Sequence, residues 1–272
     1  MKIFLNQLGK IREAWWVAIF FLVLAALTLP AIFLSRSNNA EVSIYQQAII
    51  VLAATWICQR LWGGSFADLT GRLDLSFVRN LFAGLALGAA LMLAPSLVLY
   101  VGGWVRWEGQ SADAYSLWAI TGTMVAGAVS EEFLFRGFIF GRLRGSLGTW
   151  PAQVIISAYF LLTHMANPEM HGTVKILAMA NIFLASILFG LTVIRTNNLV
   201  MAIAMHTAAN WVQGVLLGFG VSGHVQPSLL LPVFGDAPLW LTGGNFGLEG
   251  SALGLAGVVV LAVAVGKWKG NH

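Results

Sequence analysis

Charge is scarce in this chain: only 10% of its 272 residues are Asp, Glu, Lys or Arg. A soluble domain carries about a quarter charged residues, so this supply cannot furnish a water-facing surface. Cysteine is scarcer still. The single Cys58 excludes an internal disulfide framework and every multi-cysteine metal site. A basic domain is lacking too. The net charge is +4, yet the Lys and Arg residues lie scattered between apolar stretches, which excludes a nucleic-acid partner. What the chain has in quantity is apolar surface: 58% hydrophobic residues, with 11 Trp and 17 Phe. Disorder is excluded by that content, and aromatic residues in this number suit the interfaces of an integral membrane protein.

A bilayer core needs about 20 apolar residues per helix, and the sequence offers eight such runs. They cover residues 15–34, 43–58, 81–104, 114 to beyond 130, 150–164, 176–194, 198–218 and 251–265. The expected fold is an all-α polytopic bundle of about eight transmembrane helices forming one integral membrane domain over residues 1–272. Pro95 is expected to kink the third helix. The first run is read as an uncleaved helix, because it is too long for a signal peptide and no clean cleavage site follows. Ile3, Phe4, Leu8 and Ile11, set among Lys2, Lys10 and Arg12, suit a segment lying along the membrane surface. Eight spans put both termini on one side, where 12 of the 15 Lys and Arg residues also fall; Arg36, Arg106 and Lys175 fall on the other. The positive-inside rule makes the termini cytoplasmic. Residues 219–250 form a long outer connection whose only charges are Asp236 and Glu249, read as a loop on the membrane or a re-entrant segment.

Ionisable residues inside a span are expensive and mark function by default. The fourth run carries Glu131, Glu132 and Arg136 and stays apolar through Phe140 until Arg142; the fifth carries Phe160 and His164, and the seventh His206 and Asn210. Helix rise puts Glu131 about 16 Å from Arg142, His164 about 21 Å from Trp150, and His206 and Asn210 about 12 and 18 Å from Asn198. These comparable depths allow one buried meeting point. Glu132 and Arg136, at i and i+4, can pair on one helix face as a brace. Glu131 lies about 100° round the helix and faces elsewhere. Phe160 suits core packing as well as substrate contact. Ser186 and Gly190 are small enough to let helices approach closely.

Glu-Glu-x-x-x-Arg (Glu131, Glu132, Arg136), Phe-x-x-x-His (Phe160, His164) and His-x-x-x-Asn (His206, Asn210), in this order on separate helices, resemble the CPBP family of intramembrane proteases. That family includes the type II CAAX prenyl proteases and lysostaphin-resistance-like and bacteriocin-immunity proteins. The resembling region spans about 114–218. The resemblance implies a peptidase in which Glu131 activates a water, His164 and His206 position it or move protons, and Asn210 stabilises the oxyanion. Glu132 and Arg136 would brace the site. It implies a membrane-embedded or lipidated peptide as substrate and the plasma membrane of a bacterium or archaeon as location. General-base work by a carboxylate and oxyanion stabilisation by an amide suit this chemistry on physical grounds as well.

Three rival readings bear on the same residues. A buried Glu with two His also suits a proton- or ion-coupled transporter, and an immunity or scaffold role needs no turnover. No His-Glu-x-x-His is present to hold a site-2-type zinc, and no Gly-x-Gly-Asp. Gly220-Val221-Ser222-Gly223 spells the rhomboid nucleophile signature, but only His224 and His272 follow it, so it is read as chance. A zinc site, if one exists, would use Glu131, His164 and His206 as its three ligands. That would consume Glu131 as a ligand, so the expectation is a mechanism needing no metal or other cofactor. Oligomeric state is not legible.

Overall fold

The computed structural model describes residues 4–5 and 11–270. Ile3 and Leu8 of the expected surface segment lie outside the described residues, as do Lys2 and Lys10. The elements run in the order α1 (Glu13–Ser37), α2 (Ile44–Trp62), α3 (Ala67–Thr70), α4 (Leu75–Val101), β1 (Val105–Gly109), α5 (Ala114–Arg136), α6 (Phe138–Leu147), α7 (Thr149–His164), α8 (Gly172–Thr196) and α9 (Val200–Asn210). A π-helical turn, Trp211–Leu216, continues α9; then come β2 (Leu230–Phe234), α10 (Leu239–Thr242), two 3-10 turns and α11 (Ala252–Lys267). Among the described residues, α1, α4 and α8 are long and apolar enough to cross a membrane, and α11 is a shorter apolar helix. The chain is a mostly helical membrane protein.

Helix starts follow from local chemistry. Ser43 opens α2 with a capping box, accepting from the Gln46 amide while the Gln46 side chain accepts from its own. Asp74 caps α4 through the Ser76 and Phe77 amides, Asp113 caps α5 through Ser116, and Ser251 caps α11 through Gly254. Hydrogen bonds from the Ser116 hydroxyl and amide hold the Asp113 carboxyl below the usual carboxylate range. α2 stops at Gly63, whose φ of 96° a side chain would disfavour.

Connections gather at two ends. At one, Glu13 at the start of α1 meets Arg142 of α6 at 2.7 Å, the Leu199 amide bonds the Leu69 carbonyl, and Arg195 bonds the Gly266 carbonyl. At the other, β1 and β2 form an antiparallel pair, Ser228 bonds Gln110, and Tyr45 at the start of α2 reaches the Ala119 carbonyl of α5. α4 packs most extensively on α9. The contact needs Gly84 and Gly88, because a Cβ at either would run into the Met201 or Met205 carbonyl.

One expectation is corrected here. The fourth run is not one helix continuing to Arg142: it breaks at Gly137, with φ −77° and ψ −122°, and resumes as α6. Arg142 pulls α6 onto α1 and α2 through Glu13 and the Trp62 ring, 3.6 Å from its guanidinium carbon. The depth of Glu131 therefore cannot be measured along a straight helix from Arg142. A short antiparallel pair accompanies the helices: β1 and β2 meet across more than a hundred residues, Val105 opposite Phe234. Residues 219–250 are folded by that strand, α10 and the 3-10 turns.

Candidate active site

The site assembles from α5, α7, α8 and α9. The Glu132 and Arg136 side chains, one turn apart on α5, are fully buried and paired, with Nη1 3.2 Å from Oε1. The guanidinium also donates from Nη2 to Ser186 Oγ on α8 at 2.6 Å, and lies over the Phe160 ring of α7, 4.5 Å from its centroid. A buried charge requires this much company. Phe160 thus supports the arginine with its face while also lining the cavity.

Glu132 has a second partner. Helix spacing pairs it with Arg136, and in addition its Oε1 accepts from His206 Nδ1 at 2.9 Å. The carboxylate can only accept, so Nδ1 carries the proton and the other ring nitrogen is left to act. The Phe189 ring, stacked on His206 at 4.9 Å and 11°, fixes the imidazole plane. His206 Nε2 is turned to the neighbouring carboxylate, 3.8 Å from Glu131 Oε2. That separation exceeds a hydrogen bond and suits a water held about 2.8 Å from both atoms.

Glu131, His164, His206 and Asn210 all line one cavity of about 620 Å³. The Glu131 side chain is 34% exposed, in contrast to the sealed Glu132. His164 stands at the last turn of α7, where Nδ1 donates to the Phe160 carbonyl at 2.7 Å and Nε2 remains for the cavity. Asn210 is the final residue of α9 before the π-helical turn, a distortion that recurs at functional sites. Gln213 in that turn donates to the Gly220 carbonyl at 2.7 Å and ties the outer connection to the helix.

Several cavity residues were not anticipated. Ser222 and His224, dismissed as a chance signature, line the wall, as does Glu249. Ser222 sits at a φ of 49° and gives both its amide (2.9 Å) and its hydroxyl (2.7 Å) to Glu249 Oε2. Burial pushes the Glu249 carboxyl above the usual carboxylate range, and the Ser222 hydrogen bonds oppose that shift. The signal available in the sequence was an isolated acid in a nearly uncharged, apolar connection. By contrast, Glu169 and His171 stay at the surface, 3.9 Å apart.

Residues 113–212 match the model of the Rce1-like family, described as type II CAAX prenyl endopeptidase Rce1-like. The Rce1-like region runs from the Asp113 cap of α5 into the π-helical turn, and it contains Glu131, Glu132, Arg136, Phe160, His164, His206 and Asn210. Over this stretch the chain is similar to a protease family. Ser222, His224 and Glu249 lie beyond the Rce1-like region. No curated protein matches the chain.

Proposed function

We propose that the protein is a multi-pass intramembrane endopeptidase that cuts a membrane-associated or lipidated peptide with a water activated by Glu131. The observation that carries the reading is the convergence of Glu131, His164, His206 and Asn210 on one cavity, with Glu131 beside the free Nε2 of His206. Glu131 takes a proton from the water as its oxygen attacks the peptide carbonyl carbon. The carbonyl oxygen becomes an oxyanion, which the Asn210 amide stabilises by donating a hydrogen bond. The proton then passes from the Glu131 carboxyl, directly or through His206, to the leaving nitrogen as the C–N bond breaks. Glu132, held by Arg136, keeps His206 in the tautomer that presents Nε2. His164 orients the bound peptide or water from the opposite wall.

The reading needs no metal. Among the described residues, no three of His, Cys, Asp and Glu are grouped closely enough to hold one ion. The second Glu of the motif is bonded to both Arg136 and His206, so it could not replace Glu131 as base if Glu131 were a ligand. We read eight helices as spanning the bilayer, with the end that carries Arg142, Arg195 and Lys267 cytoplasmic.

The test is the purified protein in proteoliposomes, assayed for cutting of candidate membrane peptides and for proton or ion flux. Cutting that survives chelators and needs Glu131 is the expected result. Flux dependent on Glu131 without any cut would identify a transporter instead. Activity lost on zinc removal and restored on its return would assign Glu131 to a metal.

A further inference from the structure

The cavity is open at one end of the bundle and closed at the other. α7 has 16 residues, about 24 Å of helix, and ends at His164 short of the roughly 30 Å hydrocarbon thickness. Beyond His164 the wall is made by connections: Asn167 after α7, Ser222, His224 and Gln226 after the π-helical turn, and Glu249 before α11. Thr163 and His224 of this wall are exposed. In the other direction, Phe133, Phe135, Phe138 and Phe140 are all buried, and the sealed Glu132–Arg136–Ser186 contacts lie among them.

The two ends also differ in charge. The closed end carries Arg60, Arg72, Arg142, Arg144, Arg195 and Lys267 in or beside its connections, while the open end carries Arg36, Arg106 and Lys175. Basic residues are retained on the cytoplasmic side. The open end therefore faces away from the cytoplasm. The cavity's own charges narrow the substrate further. Its carboxylates are Glu131 and Glu249, and no lysine or arginine lines it. A free C-terminal carboxylate would find no permanently charged counter-ion there, only His164, His206 and His224, and would meet Glu131.

We propose that the cavity is loaded from the extracytoplasmic face, by an internal segment of a membrane-bound or secreted peptide rather than by the free C-terminus of a cytoplasmic prenylated protein. This rests on the reading of the cavity as a protease site. It places Ser222, Glu249 and His224 at the entrance, where Glu249, pinned by Ser222, shapes the path to Glu131.

The test uses the full chain in cells, in a Cys58→Ser background. Val225 stands on the rim, 76% exposed, between the lining residues His224 and Gln226. Ser146, in the last turn of α6, marks the closed end. A membrane-impermeant maleimide is expected to label Val225→Cys in intact cells and Ser146→Cys only after permeabilisation. A bulky adduct at Val225→Cys is expected to abolish cleavage, and one at Ser146→Cys to leave it unchanged. Labelling of Val225→Cys only after permeabilisation would overturn the proposal, and so would full cleavage by fully labelled Val225→Cys. Peptides with the cleaved sequence placed internally are expected to be cut, and those whose free carboxylate lies a few residues beyond the same scissile bond to be spared; the reverse would also overturn it. Because labelling does not depend on turnover, a protein that labels from outside but cuts nothing in detergent would sink the protease reading and leave the sidedness standing.

Discussion

Arg136 shows how much one buried charge organises. Its guanidinium contacts Glu132, Ser186 and three aromatic rings, Phe135, Phe160 and Phe189. Removing it would leave Glu132 ionised in a dry interior, or protonated and less able to hold His206. Arg136→Ala is expected to cost about 3–5 kcal/mol, the usual penalty for breaking a buried pair from one side. Thermal unfolding in detergent checks this, and an unchanged midpoint would show that the pair does not brace the fold. Asn210 belongs to the chemistry. Asn210→Ala is expected to unfold at the wild-type temperature yet cut about 10²–10³-fold more slowly, as for loss of one oxyanion donor. A comparable rate from the variant would remove Asn210 from that role. Glu249 acts through position: Glu249→Gln is expected to raise KM more than it lowers kcat, because it changes the entrance and not the base. A fall in kcat alone would place it in the chemistry.

Among the elements, α4 and α9 depend on contact at glycine. A side chain at Gly88 would meet the Met205 carbonyl, which cannot rotate away, so the helices would have to part. Gly88→Val is expected to destabilise by at least about 1–3 kcal/mol, in the range of overpacked cores. Since α9 carries His206 and Asn210, activity would fall with it. Gly141 on α6 has open space around its Cβ position, and Gly141→Ala is expected to be neutral or to gain up to about 1 kcal/mol from helix propensity. Equal effects from the two would contradict the close packing. The break between α5 and α6 was hidden in the sequence for a physical reason. Phe-Leu-Phe-Arg-Gly-Phe-Ile-Phe reads as unbroken apolar helix, and a single glycine does not announce a turn. The turn is set by partners on other helices, Glu13 and Trp62, whose contacts no local pattern reports.

For the whole molecule, what the sequence made legible was what the solvent dictates. Apolar runs gave long helices to within a few residues, as at 15–34 for Glu13–Ser37 and 176–194 for Gly172–Thr196. Ionisable residues within apolar runs pointed to Glu131, His164 and His206, which line one cavity, and to Glu132 and Arg136, which pair beside it. Contacts made between distant connections were not legible. The pairing of Val105 with Phe234 and the Ser222–Glu249 bond depend on loops that meet only after the helices have packed. Glu132 bonding to His206 was missed for a related reason: helix phase placed it beside Arg136, but phase within α5 says nothing about where α9 approaches. The claim on which the rest depends is that Glu131, next to the free nitrogen of His206, activates water to cut a peptide. Its most direct test is mass spectrometry of candidate membrane peptides incubated with purified wild type and with Glu131→Gln, both shown to unfold at the same temperature. The expected result is a defined cut by the wild type and at least about a 10²-fold slower cut by the variant. Equal cutting by the two proteins would contradict it.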